Sequence, residues 1–232
     1  MVIECIGLPG SGKTYLMELV EKELVRREVD YVNVSANLMN RISWKIFRRI
    51  TRALIYLSAD ARWLRDRLLK ILGEEGELRS SFGIYENEKY TVRSAALFAF
   101  MYRRMIRSPK LYLFDEGLVH ALVKFCADFR ISDETFRKLV TESERGLHSS
   151  RLVICNEISV EECLASIEKR DRHICAFDEL KGDALTDILG EYARLVEFYG
   201  SNFSVLKIRR KDENRKKLSL VFGKIRRILS GA

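Results

Sequence analysis

Two glycines, a lysine and a threonine stand near the start of the chain at a spacing that suits phosphate binding. The pattern G-x-x-x-x-G-K-[ST] is met at Gly7, Gly12, Lys13 and Thr14. Glycines let backbone N–H groups turn inward around a polyphosphate, the lysine reaches the outer phosphates, and the threonine hydroxyl is a ligand for Mg²⁺. The apolar run "VIECI" before this loop predicts a strand, and "TYLMELVEKELVRRE" after it predicts a helix whose positive end faces the same anion. The sequence therefore predicts a nucleoside triphosphate site, with ATP and Mg²⁺ as the expected ligands.

A pair of carboxylates follows a second apolar run. In "LYLFDEG" the apolar residues lead directly into Asp115 and Glu116. Ligands of parallel sheets bind at the carboxyl ends of the strands, and Mg²⁺ prefers hard oxygen ligands opposite a phosphate loop. We therefore expect Asp115 to hold Mg²⁺ and Glu116 to act as a base or orienting group for an acceptor hydroxyl. An acidic pair that only caps a turn is the alternative interpretation.

Cations gather at the end of a predicted helix further along the chain. "SVEECLASIEKRDRH" opens with a capping box formed by Ser159 and Glu162 and ends in a cluster that contains Arg170 and Arg172. Such cations would overhang a bound nucleotide, where movable arginines stabilise the charge that develops during phosphoryl transfer. The alternative is a cationic cap that only complements the helix dipole.

The elements that would position these residues alternate between strands and helices. Strands are predicted at 1–6, 30–35, 110–116, 151–157 and 203–208. Helices are predicted at 13–28, 40–72 with a break near 58–60, 86–107, 117–127, 132–147, 159–170, 183–199 and 212–229. This alternation predicts an α/β protein with a P-loop NTPase fold, in which helices cover both faces of a five-stranded parallel sheet.

Composition favours a cytoplasmic protein with one sizeable core. The chain has 232 residues, of which 47% are hydrophobic, so that extensive disorder is not expected. We found no apolar run long enough to span a bilayer, and a strand at the first residues leaves no room for a signal peptide. The five cysteines lack paired metal-ligand spacing and are interpreted as reduced core residues.

The net charge of +8 is concentrated in two segments. Residues 41–70 carry nine Lys or Arg against two acids, and residues 207–227 carry ten against two. Such an excess suggests anionic partners, among which peripheral contact with an anionic membrane, at its inner face, is one hypothesis. Nucleic acid is not an expected partner. Solvated helix faces are the alternative explanation for both segments.

The order of these features resembles the thymidylate kinase and nucleoside and nucleotide monophosphate kinase group. The phosphate loop, "FDEG", "VEECLASIEKRDRH", the "YARLVEFYG" helix and a final strand and helix follow that group's order over most of the chain. "LFAFMYRRM" is similar to the helix that supplies an arginine to the acceptor, and "IEKRDR" is similar to the start of a mobile lid. The resemblance implies an enzyme, a divergent P-loop kinase. Its single domain would span 1–232, with a basic helical segment of about 36–85 over the acceptor and a lid of about 168–182.

The resemblance also implies roles for individual residues. The ATP-binding residues would be Gly7, Pro9, Gly10, Ser11, Gly12, Lys13, Thr14 and Arg170, with Arg209 and Lys211 in the loop after the last strand, near the adenine. The catalytic residues would be Lys13, Asp115, Glu116, Arg170 and Arg172. The Mg²⁺ ligands would be Thr14 and Asp115. The acceptor contacts would be Arg93, Arg103 and Arg104.

Two departures concern the acceptor half of that pattern. After the second strand the chain has "VSANLMN", where thymidylate kinases carry an acidic-Pro motif, and after the third it has Asp115–Glu116–Gly117, where they usually carry Asp-Arg. The resemblance thus implies the fold and ATP but not thymidylate. "FDEGLVHAL" is similar to divergent relatives associated with surface-glycan synthesis, and the basic segment over the acceptor suits a large anionic acceptor. A sugar, glycan or glycolipid acceptor is therefore the first hypothesis, and a nucleoside or nucleotide is the alternative.

Two other classes of function remain open. A P-loop ATPase also carries Asp-Glu after an apolar strand, with the glutamate orienting a water molecule. A nucleotide-dependent binding module would use the basic faces without catalysis. A homodimer is left open as well.

Overall fold

A computed structural model describes residues 1–34, 53, 58–75, 88–145, 151–169, 180 and 182–230, with the backbone alone at 88–90. Residues 40–57 of the predicted helical segment 40–72, apart from residue 53, and most of the predicted lid lie outside these ranges. The single domain with its basic acceptor-covering segment therefore stays a prediction.

Five parallel strands form the sheet, as the sequence predicts. The strands are β1 (Val2–Ile6), β2 (Tyr31–Asn33), β3 (Leu111–Phe114), β4 (Arg151–Glu157) and β5 (Leu206–Arg209). Their order is β2-β3-β1-β4-β5, and each pair of neighbours is parallel. Because β1 lies between β3 and β4, the segments that follow these three strands meet at one edge of the sheet.

The helices begin close to the predicted positions. Ser58, Ser132 and Ser159 each cap the helix that follows, and the Ser159–Glu162 capping box is confirmed. The described helices are α1 (Lys13–Arg26), α2 (Ala59–Glu74), α3 (Glu88–Met105), α4 (Leu118–Asp128), α5 (Asp133–Glu144), α6 (Val160–Glu168), α7 (Gly182–Asn202) and α8 (Asn214–Leu229).

One strand begins later than predicted. The expected strand at 203–208 starts at Leu206, because α7 continues to Asn202 and the Phe203 amide still donates to the Tyr199 carbonyl at 2.9 Å. The rings of Tyr199 and Phe203 stack at a centroid distance of 4.8 Å. The longer helix leaves three residues before β5, and Phe203, which the apolar pattern assigns to the strand, is bound to the end of the helix instead.

Helices cover both faces of the sheet. Alternate β1 residues point to opposite sides, so that Ile3 and Cys5 pack with α1 and α8, while Val2 and Ile6 pack with the layer formed by α2 to α7. No helix in the described part of the chain combines the length and the apolar character that crossing a membrane requires.

Candidate functional site

The phosphate loop joins β1 to α1 through glycines with positive φ, a conformation that favours glycine. Gly7 has φ +143°, and a Cβ atom there would lie 2.7 Å from the carbonyl oxygen of Asn156. Gly12 has φ +86° and precedes the first residue of α1. A glycine supplies no capping side chain, so the first amides of α1 remain directed at the loop, where an anion can bind.

Side chains from β4 and α6 hold this loop from the side. The Asn156 amide Nδ2 donates to the Ser11 carbonyl at 2.6 Å, and the Cys163 thiol donates to the Pro9 carbonyl at 2.6 Å. Sequence reasoning did not single out either residue. The signal for Asn156 was present, because it is the amide in the otherwise apolar stretch "LVICN", and it is buried.

Lys13 folds back over the loop and is buried. Its ammonium donates to the carbonyls of Gly7 and Leu8 at 3.0 and 3.2 Å, and it lies 3.9 Å from Oε1 of Glu116. The cation is thus held between the loop and the acidic turn after β3.

Thr14 and Asp115, the predicted Mg²⁺ ligands, are in direct contact. The Thr14 hydroxyl donates to Oδ2 of Asp115 at 2.7 Å. Burial raises the pKa of Asp115, and the hydrogen bond from Thr14 opposes that shift. A hydroxyl and a carboxylate are hard oxygen donors at the mouth of a phosphate loop. These two residues therefore fit Mg²⁺, the metal ion that the fold implies.

Glu116 lies between two nitrogen groups. Oε1 is 3.2 Å from Nε2 of His120, in addition to its contact with Lys13. His120 and then Lys13 hold the pKa of Glu116 well below its usual range. Burial lowers the pKa of His120 itself. Sequence reasoning missed His120, although its position four residues after Glu116 was a usable signal.

The predicted acceptor arginines all lie on α3. Nε of Arg103 is 3.4 Å from Oδ1 of Asp60 on α2, and the Arg104 guanidinium lies 5.2 Å from the centre of the Phe100 ring. Arg93 is half-buried near the opposite end of the helix. Their role in acceptor binding stays a prediction, and Arg170 and Arg172 lie outside the described residues.

A groove of about 580 Å³ opens beside the phosphate loop at the carboxyl ends of β4 and β5. Arg209 and Lys211, the predicted adenine-side residues, line it together with Leu8 of the loop. Exposed ion pairs cross it, with Lys211 2.7 Å from Glu162 and Lys207 3.7 Å from Glu157. The other lining residues are Cys155, Asn156, Ile158, Ser159, Ala193, Val196, Glu197, Gly200 and Arg210.

Comparison with solved structures shows the same fold in a known kinase. A deoxyadenosine kinase from M. mycoides with bound dATP is similar at a TM-score of 0.51 and 12% identity, over 97% of this chain and 100% of that chain. Two further structures of that enzyme, one with dCMP and a flexible dCDP and one with dCTP, have TM-scores of 0.48 and 0.45. Their identities are 13% and 15%, over 98% and 97% of this chain and 100% and 99% of theirs. No protein-family model and no curated protein matches the chain.

The chain therefore has the α/β fold of the P-loop kinases, as the motif order implies. At this level of identity the likeness concerns the fold.

Proposed function

We propose that the protein is a phosphotransferase that moves the γ-phosphoryl group of a nucleoside triphosphate, expected to be ATP, to an acceptor hydroxyl or phosphate. The convergence of Lys13, Thr14, Asp115 and Glu116 at the ends of β1 and β3 carries this proposal. One ammonium, one hydroxyl and two carboxylates within hydrogen-bond or ion-pair reach are the groups that phosphoryl transfer requires.

The loop would bind the donor phosphates. Lys13 now shares its protons with two loop carbonyls, and phosphate oxygens would replace these neutral acceptors with charged ones. Thr14 and Asp115 would hold Mg²⁺, which when bound neutralises charge on the phosphates. Asp115 must be ionised for this role, and burial raises its pKa. As the pH falls, metal-dependent binding should therefore weaken at a higher pH than it would with an exposed aspartate.

Glu116 would act on the acceptor. Its lowered pKa keeps the carboxylate ionised at neutral pH, so it can accept a hydrogen bond from an acceptor hydroxyl and direct its oxygen toward the γ-phosphorus. As the new O–P bond forms and the bond to the β-phosphate oxygen breaks, the hydroxyl proton passes to the carboxylate. Positioning is the larger share of this role, because a carboxylate with a low pKa is a weak base.

A nucleoside or nucleoside monophosphate is the acceptor class we favour. The structure that is similar at a TM-score of 0.51 is a deoxyadenosine kinase. This support for a nucleoside acceptor is an analogy between proteins of the same fold. No observation on the described residues supports the glycan or glycolipid acceptor expected from the basic segment. Peripheral membrane contact, a homodimer and a cytoplasmic location likewise stay predictions from the sequence.

The test is a product analysis. The protein would be incubated with ATP, Mg²⁺ and a panel of ribo- and deoxyribonucleosides and their monophosphates, with mass spectrometry of the small molecules. We expect at least one panel member to gain one phosphoryl group while an equal amount of ADP forms. Lys13→Ala is the matched control for contaminating kinases. Formation of ADP without any phosphorylated panel member would reject the nucleoside acceptor.

Hydrolysis of ATP is the second candidate function. The same position of Glu116, beside Lys13, would also orient a water molecule for attack on the γ-phosphorus. The two functions differ in whether an acceptor raises the rate of ATP consumption.

A further inference from the structure

A buried polar network lies beneath the turn that carries Asp115 and Glu116. It contains Glu4, Tyr102, Glu144, Arg151 and Tyr199, all of which are almost completely buried. Nε of Arg151 is 2.9 Å from Oε1 of Glu4, and its Nη2 is 2.7 Å from Oε1 of Glu144. The Tyr199 hydroxyl donates to the same Glu144 oxygen at 2.8 Å.

One end of this network caps α4. The Leu118 amide donates to the Tyr102 hydroxyl at 3.2 Å, and the Val119 amide donates to Oε2 of Glu4 at 3.1 Å. Burial and then the nearby Glu4 carboxylate raise the pKa of Tyr102 well above its usual range. Because the residue before α4 is Gly117, which has no side chain to act as a cap, the network takes over the capping role.

The fit between the network and the turn is close. A Cβ atom on Gly117 would lie 2.0 Å from the Tyr102 hydroxyl oxygen and 2.2 Å from Oε2 of Glu4. Gly117 has φ −120°, so space and not backbone conformation is what requires a glycine here. The backbone two residues after Asp115 therefore rests directly on the two side chains.

Stability alone does not explain a carboxylate at this position. Glu4 lies on the face of β1 where Val2 and Ile6 are apolar, and burial raises its pKa against the opposing effect of Arg151. An apolar residue commonly replaces a buried ion pair without loss of stability. A carboxylate in the central strand supplies something that an apolar residue does not: an acceptor for the first amides of α4.

We propose that Glu4 and Tyr102 are positioning residues, which fix the first turn of α4 and thereby hold Asp115 and Glu116 against Thr14 and Lys13. The inference rests on the proposed phosphotransferase function. Glu4 stands three residues before Gly7 on β1, so one strand both leads into the phosphate loop and caps the helix that follows the acidic turn. Small displacements of reacting groups, about 1 Å, lower rates by up to about 10²-fold.

The chain contains a matched pair of tyrosines for the test. Tyr102 and Tyr199 are both buried, and both hydroxyls are hydrogen-bonded, but in the described part of the chain the Leu118 amide donates to Tyr102 and not to Tyr199. Tyr102→Phe and Tyr199→Phe each remove one hydroxyl. Both variants would be compared with the wild type in kcat, in the KM for ATP, and in the hydrogen exchange of the Leu118 amide followed by NMR.

We expect Tyr102→Phe to lower kcat about tenfold, with the KM for ATP within about threefold of the wild-type value. Exchange of the Leu118 amide should accelerate at least about tenfold, because its acceptor is lost. Tyr199→Phe should leave kcat and this exchange rate within about twofold of the wild-type values. A general loss of core packing would instead change both variants alike.

Equal losses of kcat in the two variants, or an unchanged kcat in Tyr102→Phe, would overturn the positioning role. If the wild-type protein transfers no phosphate to any acceptor, the proposed function fails separately, and the exchange measurement still decides the capping role. Unchanged exchange of the Leu118 amide in Tyr102→Phe would then reject the inference, and selective acceleration would support it.

Discussion

The phosphate loop and the groove beside it lie at the same edge of the sheet but are held by different forces. The loop is held by buried hydrogen bonds from Asn156, Cys163 and Lys13 to its own carbonyls. The groove is crossed by exposed ion pairs, and the Lys211 side chain is 82% exposed. The difference suggests that the rigid loop binds the phosphates of a ligand, whereas the adjustable side chains of the groove contact its variable end.

The two regions should respond differently to substitution. Removing one partner of a buried hydrogen bond leaves the other unsatisfied and costs about 1–3 kcal/mol. Exposed ion pairs are screened by water and salt and are worth little.

The largest effect is expected from Lys13→Ala. This variant loses the cation that would neutralise the outer phosphates, and we expect the rate of phosphoryl transfer to fall by about 100-fold or more, which is about 2.7 kcal/mol. The measurement is kcat/KM for ATP with the acceptor found in the product analysis, together with a circular dichroism spectrum to verify folding. A folded Lys13→Ala protein with undiminished turnover would remove the loop from the mechanism.

Asp115→Asn and Glu116→Gln should each slow transfer by at least about tenfold, or about 1.4 kcal/mol. The two variants should differ in what they change, because Asp115 contacts Thr14 at the proposed metal position, whereas Glu116 is proposed to act on the acceptor. We expect Asp115→Asn to raise the Mg²⁺ concentration needed for half-maximal rate and Glu116→Gln to lower kcat alone. Titrations of Mg²⁺ at saturating ATP separate the two, and identical Mg²⁺ responses would show that the roles are assigned wrongly.

Asn156→Ala and Lys211→Ala compare the two regions directly. Asn156→Ala leaves the Ser11 carbonyl without its amide donor, and it should lower the free energy of unfolding by about 1–3 kcal/mol. Lys211→Ala removes an exposed pair and should leave that free energy unchanged within error. Urea denaturation of both variants measures these free energies. Equal losses in the two variants would contradict the difference between loop and groove.

The smallest effect concerns the pH dependence of stability through His120. Burial lowers its folded pKa below the ordinary value of 6.5, so below that pH the unfolded chain binds the proton more readily. This contribution to stability is fully present above about pH 6.5 and is lost as the pH falls toward the folded pKa. His120→Gln should therefore lose less stability than the wild type between pH 7.5 and pH 5.5 in urea denaturation. A loss equal to that of the wild type would show that His120 is not buried in its neutral form.

Local patterns were sufficient to predict the fold and to single out four residues that the structure brings together at the candidate site. Lys13 and Thr14 belong to one contiguous motif, and Asp115 and Glu116 follow an apolar strand whose position in a parallel sheet fixes where they lie. These four residues lie together because β1 and β3, the strands that precede them, are neighbours in the sheet. The roles assigned to them stay predictions until they are tested.

The supporting residues could not be predicted in this way, because their partners are distant in sequence. Asn156 contacts a loop carbonyl 145 residues away, and Val119 donates to Glu4 across 115 residues. In the sequence, Glu4 is simply one polar residue within an apolar strand. Its capping role depends on the packing of α4 against β1, which no local pattern specifies.

The fate of the γ-phosphate tests the central claim most directly. With γ-labelled ATP and Mg²⁺, the label would be followed in the presence and absence of the acceptor identified by product analysis. Phosphoryl transfer predicts that nearly all the label enters the acceptor and that ATP consumption is slow without it. Release of the label as inorganic phosphate, at the same rate with and without acceptor, would contradict the account and identify the protein as an ATPase.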